Sequence, residues 1–159
     1  MTFTHLCGII VLMLHSFVLP TKTSAIFLSV PEIPRLKVVH DDQRRTIREA
    51  TLPQADGTIR RVTSIAIKAA NDGKPIVLGN HYHDIPEYFT ILDGSPTVIT
   101  APLSDPDAIT ERTYDSGAHL VMQPLEAHAF IFPPEGGELR STMDASFEAG
   151  GTHPHKISQ

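Results

Sequence analysis

Residues 79–89, Gly79-Asn80-His81-Tyr82-His83-Asp84-Ile85-Pro86-Glu87-Tyr88-Phe89, fall where one extended run turns into the next. Side chains two apart on a strand share a face, so His81 and His83 point the same way. Asp84-Ile85-Pro86 is turn-like and brings Glu87 back beside them on the facing strand. Two imidazoles and one carboxylate on one wall are donors of the kind that hold a divalent transition metal ion. A fourth imidazole from a later strand would close the set. His128 is placed for it, after Pro124 and just ahead of the apolar Ala129 to Phe132 run, with His119 as the competitor. His40 stands alone and has no assigned role.

The surroundings of this stretch read as short β-rich runs broken by turn signals. Val62 to Ile67 closes at Asn71-Asp72-Gly73, Ile76 to Leu78 at Gly79-Asn80, Tyr88 to Leu92 at Asp93-Gly94, and Thr97 to Ala101 at the loop from Pro102 to Asp107. Leu120 to Met122 and Phe130 to Phe132 complete the set, the last stopped by Pro133-Pro134-Glu135-Gly136-Gly137. Asp41 to Thr51 fits either a short helix or a polar strand. With 159 residues, 13 prolines and 10 glycines spread along the chain, the expectation is one all-β domain, a sandwich or barrel. Phe89, Ile91, Phe130 and Phe132 share strand parity with the candidate ligands and are expected to line the same interior.

Here the residues resemble a known family. His81-x-His83-x3-Glu87-x6-Gly94 is similar to the first cupin motif, and Pro124 to His128 looks like a shortened second one. The likeness implies a cupin-type jelly-roll barrel (double-stranded β-helix). It also implies one divalent transition metal ion (Fe, Mn, Zn or Ni) held inside by His81, His83, Glu87 and His128. The second motif departs from the family in lacking its central Gly and having one residue fewer between Pro and His. The opening Gly79-Asn80-His81-Tyr82-His83 is also similar to that of cupin domains acting on nucleotide-linked or capsular sugars.

Three functions follow as expectations. The first is a metal-assisted isomerase or epimerase of a small sugar-like substrate, which needs a side-chain base; Tyr82, Tyr88, His119, Lys68 and Glu126 are the candidates, although parity turns both tyrosines away from the ligand face. The second is an Fe(II)-dependent dioxygenase, which needs no separate base. The third is a non-enzymatic cupin that binds a sugar or small molecule. With no Trp, seven Phe and three Tyr, stacking platforms are scarce, and a small-molecule ligand is expected rather than a polymer. A net charge of −5 argues against a nucleic-acid partner. The family likeness further implies a homodimer.

At the N-terminus, the apolar run Leu6 to Leu19 is shorter than the ~20 residues that span a bilayer, so stable membrane insertion is not expected. With Thr23-Ser24-Ala25 behind it, residues 1–25 read as a signal peptide, or else as a spurious N-terminal extension. Export follows from the first reading and a cytoplasmic location from the second. The only cysteine, Cys7, lies in this segment, so residues 26–149, the expected cupin domain, hold no thiol. The glycine-led end, residues 150–159, is expected to be a flexible tail.

Overall fold

The computed structural model describes residues 35–144 and 151–157, and every regular element among them is a strand. In chain order these are β1 (Lys37–Asp41), β2 (Arg45–Pro53), β3 (Ile59–Ile67), β4 (Ile76–His83), β5 (Glu87–Asp93), β6 (Thr97–Pro102), β7 (Thr110–Thr113), β8 (His119–Met122), β9 (Glu126–Phe132), β10 (Gly137–Asp144) and β11 (Thr152–Pro154). They form two antiparallel sheets, one ordered β1-β2-β3-β10-β5-β8 and the other β11-β4-β9-β6-β7. From β4 onward the chain changes sheet at nearly every connection, which gives an architecture resembling the cupin jelly roll.

The core lies between the sheets and follows the period of two. Phe89 and Ile91 of β5, Phe130 and Phe132 of β9, and Leu139 of β10 are all buried, with Tyr88 exposed between its buried neighbours. Phe89, Ile91, Phe130 and Phe132 are packed in one core cluster with Leu139.

Several elements differ from the sequence expectations. The Asp41 to Thr51 stretch is strand, divided between β1 and β2 by a tight turn in which Asp42 accepts the backbone N–H groups of Arg44 and Arg45. β10 escaped the sequence reading because its inward positions are Leu139, Ser141 and Met143, so a serine interrupts the apolar alternation. The end expected to be a loose tail instead contains β11, paired with β4 from Thr152↔His83 to Pro154↔His81. It is tied down by backbone hydrogen bonding to a neighbouring strand, which composition does not reveal. The N-terminal segment 1–25 lies outside the described residues; among those residues no helix is long and apolar enough to cross a membrane.

Candidate metal centre

The site begins with a defect in β4. Ile76 and Leu78 face the core, and a strict alternation would then turn His81 and His83 outward. The register between β4 and β9 instead slips after Gly79↔Ala129, resuming at His81↔His128, so Asn80 is an extra residue on one strand only. Gly79 and Asn80 both adopt the left-handed conformation, with φ of 85° and 61°, which Gly accepts freely and Asn more readily than most residues. The bulge resets the parity and delivers both imidazoles to the interior. Gly79 is further constrained by close approach, because a Cβ there would lie 2.7 Å from the carbonyl oxygen of His128.

The next step is a change of sheet. Asp84-Ile85-Pro86 carries the chain from β4 across to β5, so Glu87 faces the histidines from the opposite sheet rather than from a hairpin partner. His128 sits on β9 directly opposite His81. The donor atoms of His81, His83, Glu87 and His128 all lie within 4.8 Å of one another. His83, Glu87 and His128 are buried and His81 is half-buried, so the cluster meets solvent at the His81 side.

Glu87, His128 and His83 are each oriented by a second group. Ser141 on β10 donates to Glu87 Oε1 at 2.5 Å, leaving Oε2 to point at His83 Nε2 (3.1 Å) and His128 Nε2 (3.6 Å). His128 Nδ1 lies 3.2 Å from the Glu126 carbonyl and His83 Nδ1 lies 3.3 Å from the Gly151 carbonyl. A carbonyl only accepts, so each Nδ1 must carry the proton in these contacts, and each Nε2 is presented toward the centre. Glu87 Oε2 and His128 Nε2 are buried with no aligned hydrogen bond, a costly state for polar atoms unless something else satisfies them. This donor set fits a borderline divalent transition metal ion.

The electrostatics agree with such a role. Burial holds His81 down to about 4, assisted by the neighbouring His128 and His83 rings. Burial likewise lowers His128, against the opposing pull of Glu87. For Glu87 burial acts upward, but His83, Ser141 and His128 together outweigh it and keep the carboxyl below its ordinary range. Near neutral pH the site therefore offers unprotonated His81 and His128 rings and an ionised carboxylate.

The other candidates lie elsewhere. His119 is exposed on β8 with Nδ1 3.0 Å from Thr90 Oγ1, outside the cluster. Lys68 is bound to Asp41 and Asp42 at the surface. Tyr88 is exposed and Tyr82 stacks on His153, its ring centroid 4.7 Å away. Glu126 accepts the Gln123 backbone N–H and lines a cleft between β7 and β8 together with Arg112, Tyr114 and His119. His40 pairs with Asp42. The sequence reading missed Ser141, the Asn80 bulge and the Gly151 carbonyl. The alternation Leu139-x-Ser141-x-Met143 behind Gly136-Gly137 was the available signal for the first.

Neither a protein-family model nor a curated protein matches the sequence. Among solved structures, the chain is similar to the capsular polysaccharide assembling protein CapF from Staphylococcus aureus, with TM-score 0.60 and 17% identity over 81% of this chain and 34% of that one. A second CapF structure, with the inhibitor 3-isopropenyl-tropolone, gives TM-score 0.56 and 18% identity over 77% and 34%. A variant of Bacillus subtilis oxalate decarboxylase gives TM-score 0.58 and 16% identity over 72% and 29%. This chain thus spans about a third of the length of the proteins it resembles. The likeness is to cupin proteins, and at these identities it establishes the fold.

Proposed function

We propose that the chain is a mononuclear metal protein of the cupin type, with one divalent ion held by His81, His83, Glu87 and His128 and completed by a small anionic oxygen ligand. The observation that carries this is the pair of buried, unsatisfied atoms, Glu87 Oε2 and His128 Nε2, aimed at one point among four donors. Three neutral imidazoles and one carboxylate around a divalent ion leave a net charge of +1, which favours a carboxylate or enolate as the remaining ligand. When bound, such an ion polarises an oxygen substituent or, if redox-active, passes electrons to dioxygen. The chain's own part is to hold the ion between the sheets, admit the ligand past His81, and exclude bulk water with Phe89 and Phe130.

The Fe(II)-dependent oxygenase reading of a small organic acid is favoured by the surroundings. Lys68, Tyr82, Tyr88, His119 and Glu126, named as bases for proton abstraction, are engaged elsewhere or face away from the cluster. The sugar isomerase or epimerase reading keeps one specific support, the similarity of the Gly79–His83 opening to sugar-acting cupins together with the structural likeness to CapF.

Elemental analysis of purified protein should find close to one equivalent of a transition metal, and the His81→Ala/His83→Ala double variant should retain none. Stoichiometric metal in the double variant would rule out this site. Oxygen uptake with a catechol or a diketone by the iron form selects the first reaction, and zinc or nickel without oxygen uptake eliminates it. Tropolone, with two adjacent oxygens, serves as a probe for the open coordination positions. Tropolone binding with turnover of no tested substrate would leave a non-enzymatic binding protein.

A further inference from the structure

We propose that the C-terminal strand β11 is a detachable strap that positions His83 as a ligand, so that docking of the strap and uptake of metal strengthen each other. This rests on the metal reading above and adds to it a dependence on a distant part of the chain.

The strap is fastened to the ligand-bearing end of β4 at successive residues. The carbonyl oxygen of Asn80, the bulge residue, accepts the His155 N–H at 2.8 Å, and its side-chain Oδ1 accepts the Ile157 N–H at 3.1 Å. Pro154 lies in register with His81, His153 with Tyr82, and Thr152 with His83. The Tyr82 and His153 rings stack with centroids 4.7 Å apart and planes 20° from parallel. His153 Nε2 then reaches Asp84 Oδ2 at 2.9 Å. At the end of this run the Gly151 carbonyl meets His83 Nδ1 at 3.3 Å.

That last contact carries the function. His128 uses the carbonyl of Glu126 on its own strand, whereas the carbonyl at His83 Nδ1 belongs to a residue 68 positions away in sequence. Loss of the strap therefore removes a carbonyl that holds the proton on Nδ1 and helps to turn Nε2 inward, and partners of this kind govern metal affinity. Loss also removes the two hydrogen bonds that the strap makes to Asn80, the bulge residue that sets the parity of both His81 and His83.

The strap is also built to come off. It is three residues long, sits at the edge of its sheet, and pairs only with β4 among the described residues. Such elements open locally far more easily than the core. A ligand that favours the docked state must, by linkage, itself be favoured by docking.

The test compares the full chain with a variant lacking residues 151–159, titrating both with Co(II) and Zn(II) against a chelator. Foldedness is checked by circular dichroism and melting without metal. The expected result is affinity weaker by about 10–100-fold in the truncated chain, with a smaller loss in His153→Ala, and slower hydrogen exchange at the His155 and Ile157 amides of the full chain once metal is added. Equal affinity in a folded truncated chain overturns the strap while leaving the metal site standing. Should the truncated chain fail to fold, exchange at His155 and Ile157 decides, and rates unchanged by metal overturn the proposal. A full chain that binds neither ion overturns the strap and the metal reading together.

Discussion

The two sheets contribute to the candidate centre in opposite ways. The five-stranded sheet supplies three nitrogen donors, His81 and His83 from β4 and His128 from β9, and backbone carbonyls face the Nδ1 atoms of His83 and His128. The six-stranded sheet supplies a single carboxylate, Glu87 on β5, oriented by the hydroxyl of Ser141, a diagonal neighbour on β10. Neutral donors tolerate burial with only a proton's position to fix, whereas a buried carboxylate needs partners for its charge. An ion at this centre would tie the sheets together at the point where their chemistry differs, so the one-donor side is the one on which the cross-link depends.

The sharpest way to break that asymmetry is to remove the single donor. Saturating metal, at about 100 times its Kd, should stabilise the native chain by about 2.7 kcal/mol, and Glu87→Ala should show no metal-dependent rise in Tm by calorimetry. A rise equal to that of the native chain would mean that the six-stranded sheet takes no part in binding.

Ser141→Ala tests the orientation of the carboxylate rather than its presence. It should weaken metal affinity by about 10–100-fold and cost the apo fold roughly 1.5–3 kcal/mol, the range for a hydrogen bond to a charged group. Chelator competition and chemical denaturation measure the two effects separately.

Acidification separates the two sides further. His81 titrates in the folded chain at about 4, below its ordinary 6.5, so between those values the unfolded chain binds a proton that the folded chain refuses. Apo stability should therefore be fully present above about pH 6.5 and fall as the pH drops toward 4. His128, also lowered, acts in the same direction. Glu87 is held below its ordinary 4.5, so its contribution persists longer and is lost only below that value. Denaturation midpoints across this range should show the imidazole-dependent loss first, and His81→Ala should flatten it.

The smallest effect is expected at Leu125, the turn residue before β9. It has φ of 60°, and its N–H donates to the His83 carbonyl at 2.8 Å. A leucine is strained in that conformation by about 1–2 kcal/mol. Leu125→Gly removes the strain but enlarges the freedom of the unfolded chain by a comparable amount, so stability should change by less than about 1 kcal/mol, with the His83 carbonyl contact kept.

Much of this centre was legible in residues 79–89, because ligand chemistry and period-two spacing are local properties. The placing of Glu87 opposite the histidines followed from Asp84-Ile85-Pro86, although the turn proves to be a crossing between sheets. Strict alternation is consistent within His81 and His83 but fails between them and Leu78, since the extra residue at Asn80 appears only in the pairing with β9. The choice of His128 over His119 rested on its place after Pro124 and ahead of the apolar Ala129 to Phe132 run and on the resemblance to a family motif, and the pairing of His81 with His128 across the sheet supplies its geometric reason. Ser141 and β10 stayed hidden because a serine facing the interior breaks the apolar pattern that marks a core strand.

The sequence by itself determined an all-β chain with a convergent set of donor types, since turn residues, alternation and imidazole spacing act over a few residues each. Only the tertiary structure decided which donors meet, what orients them and where the C-terminal end lies. Those facts depend on strand register and on contacts between residues such as Ser141 and Glu87, or Gly151 and His83, that stand 54 and 68 positions apart in the chain.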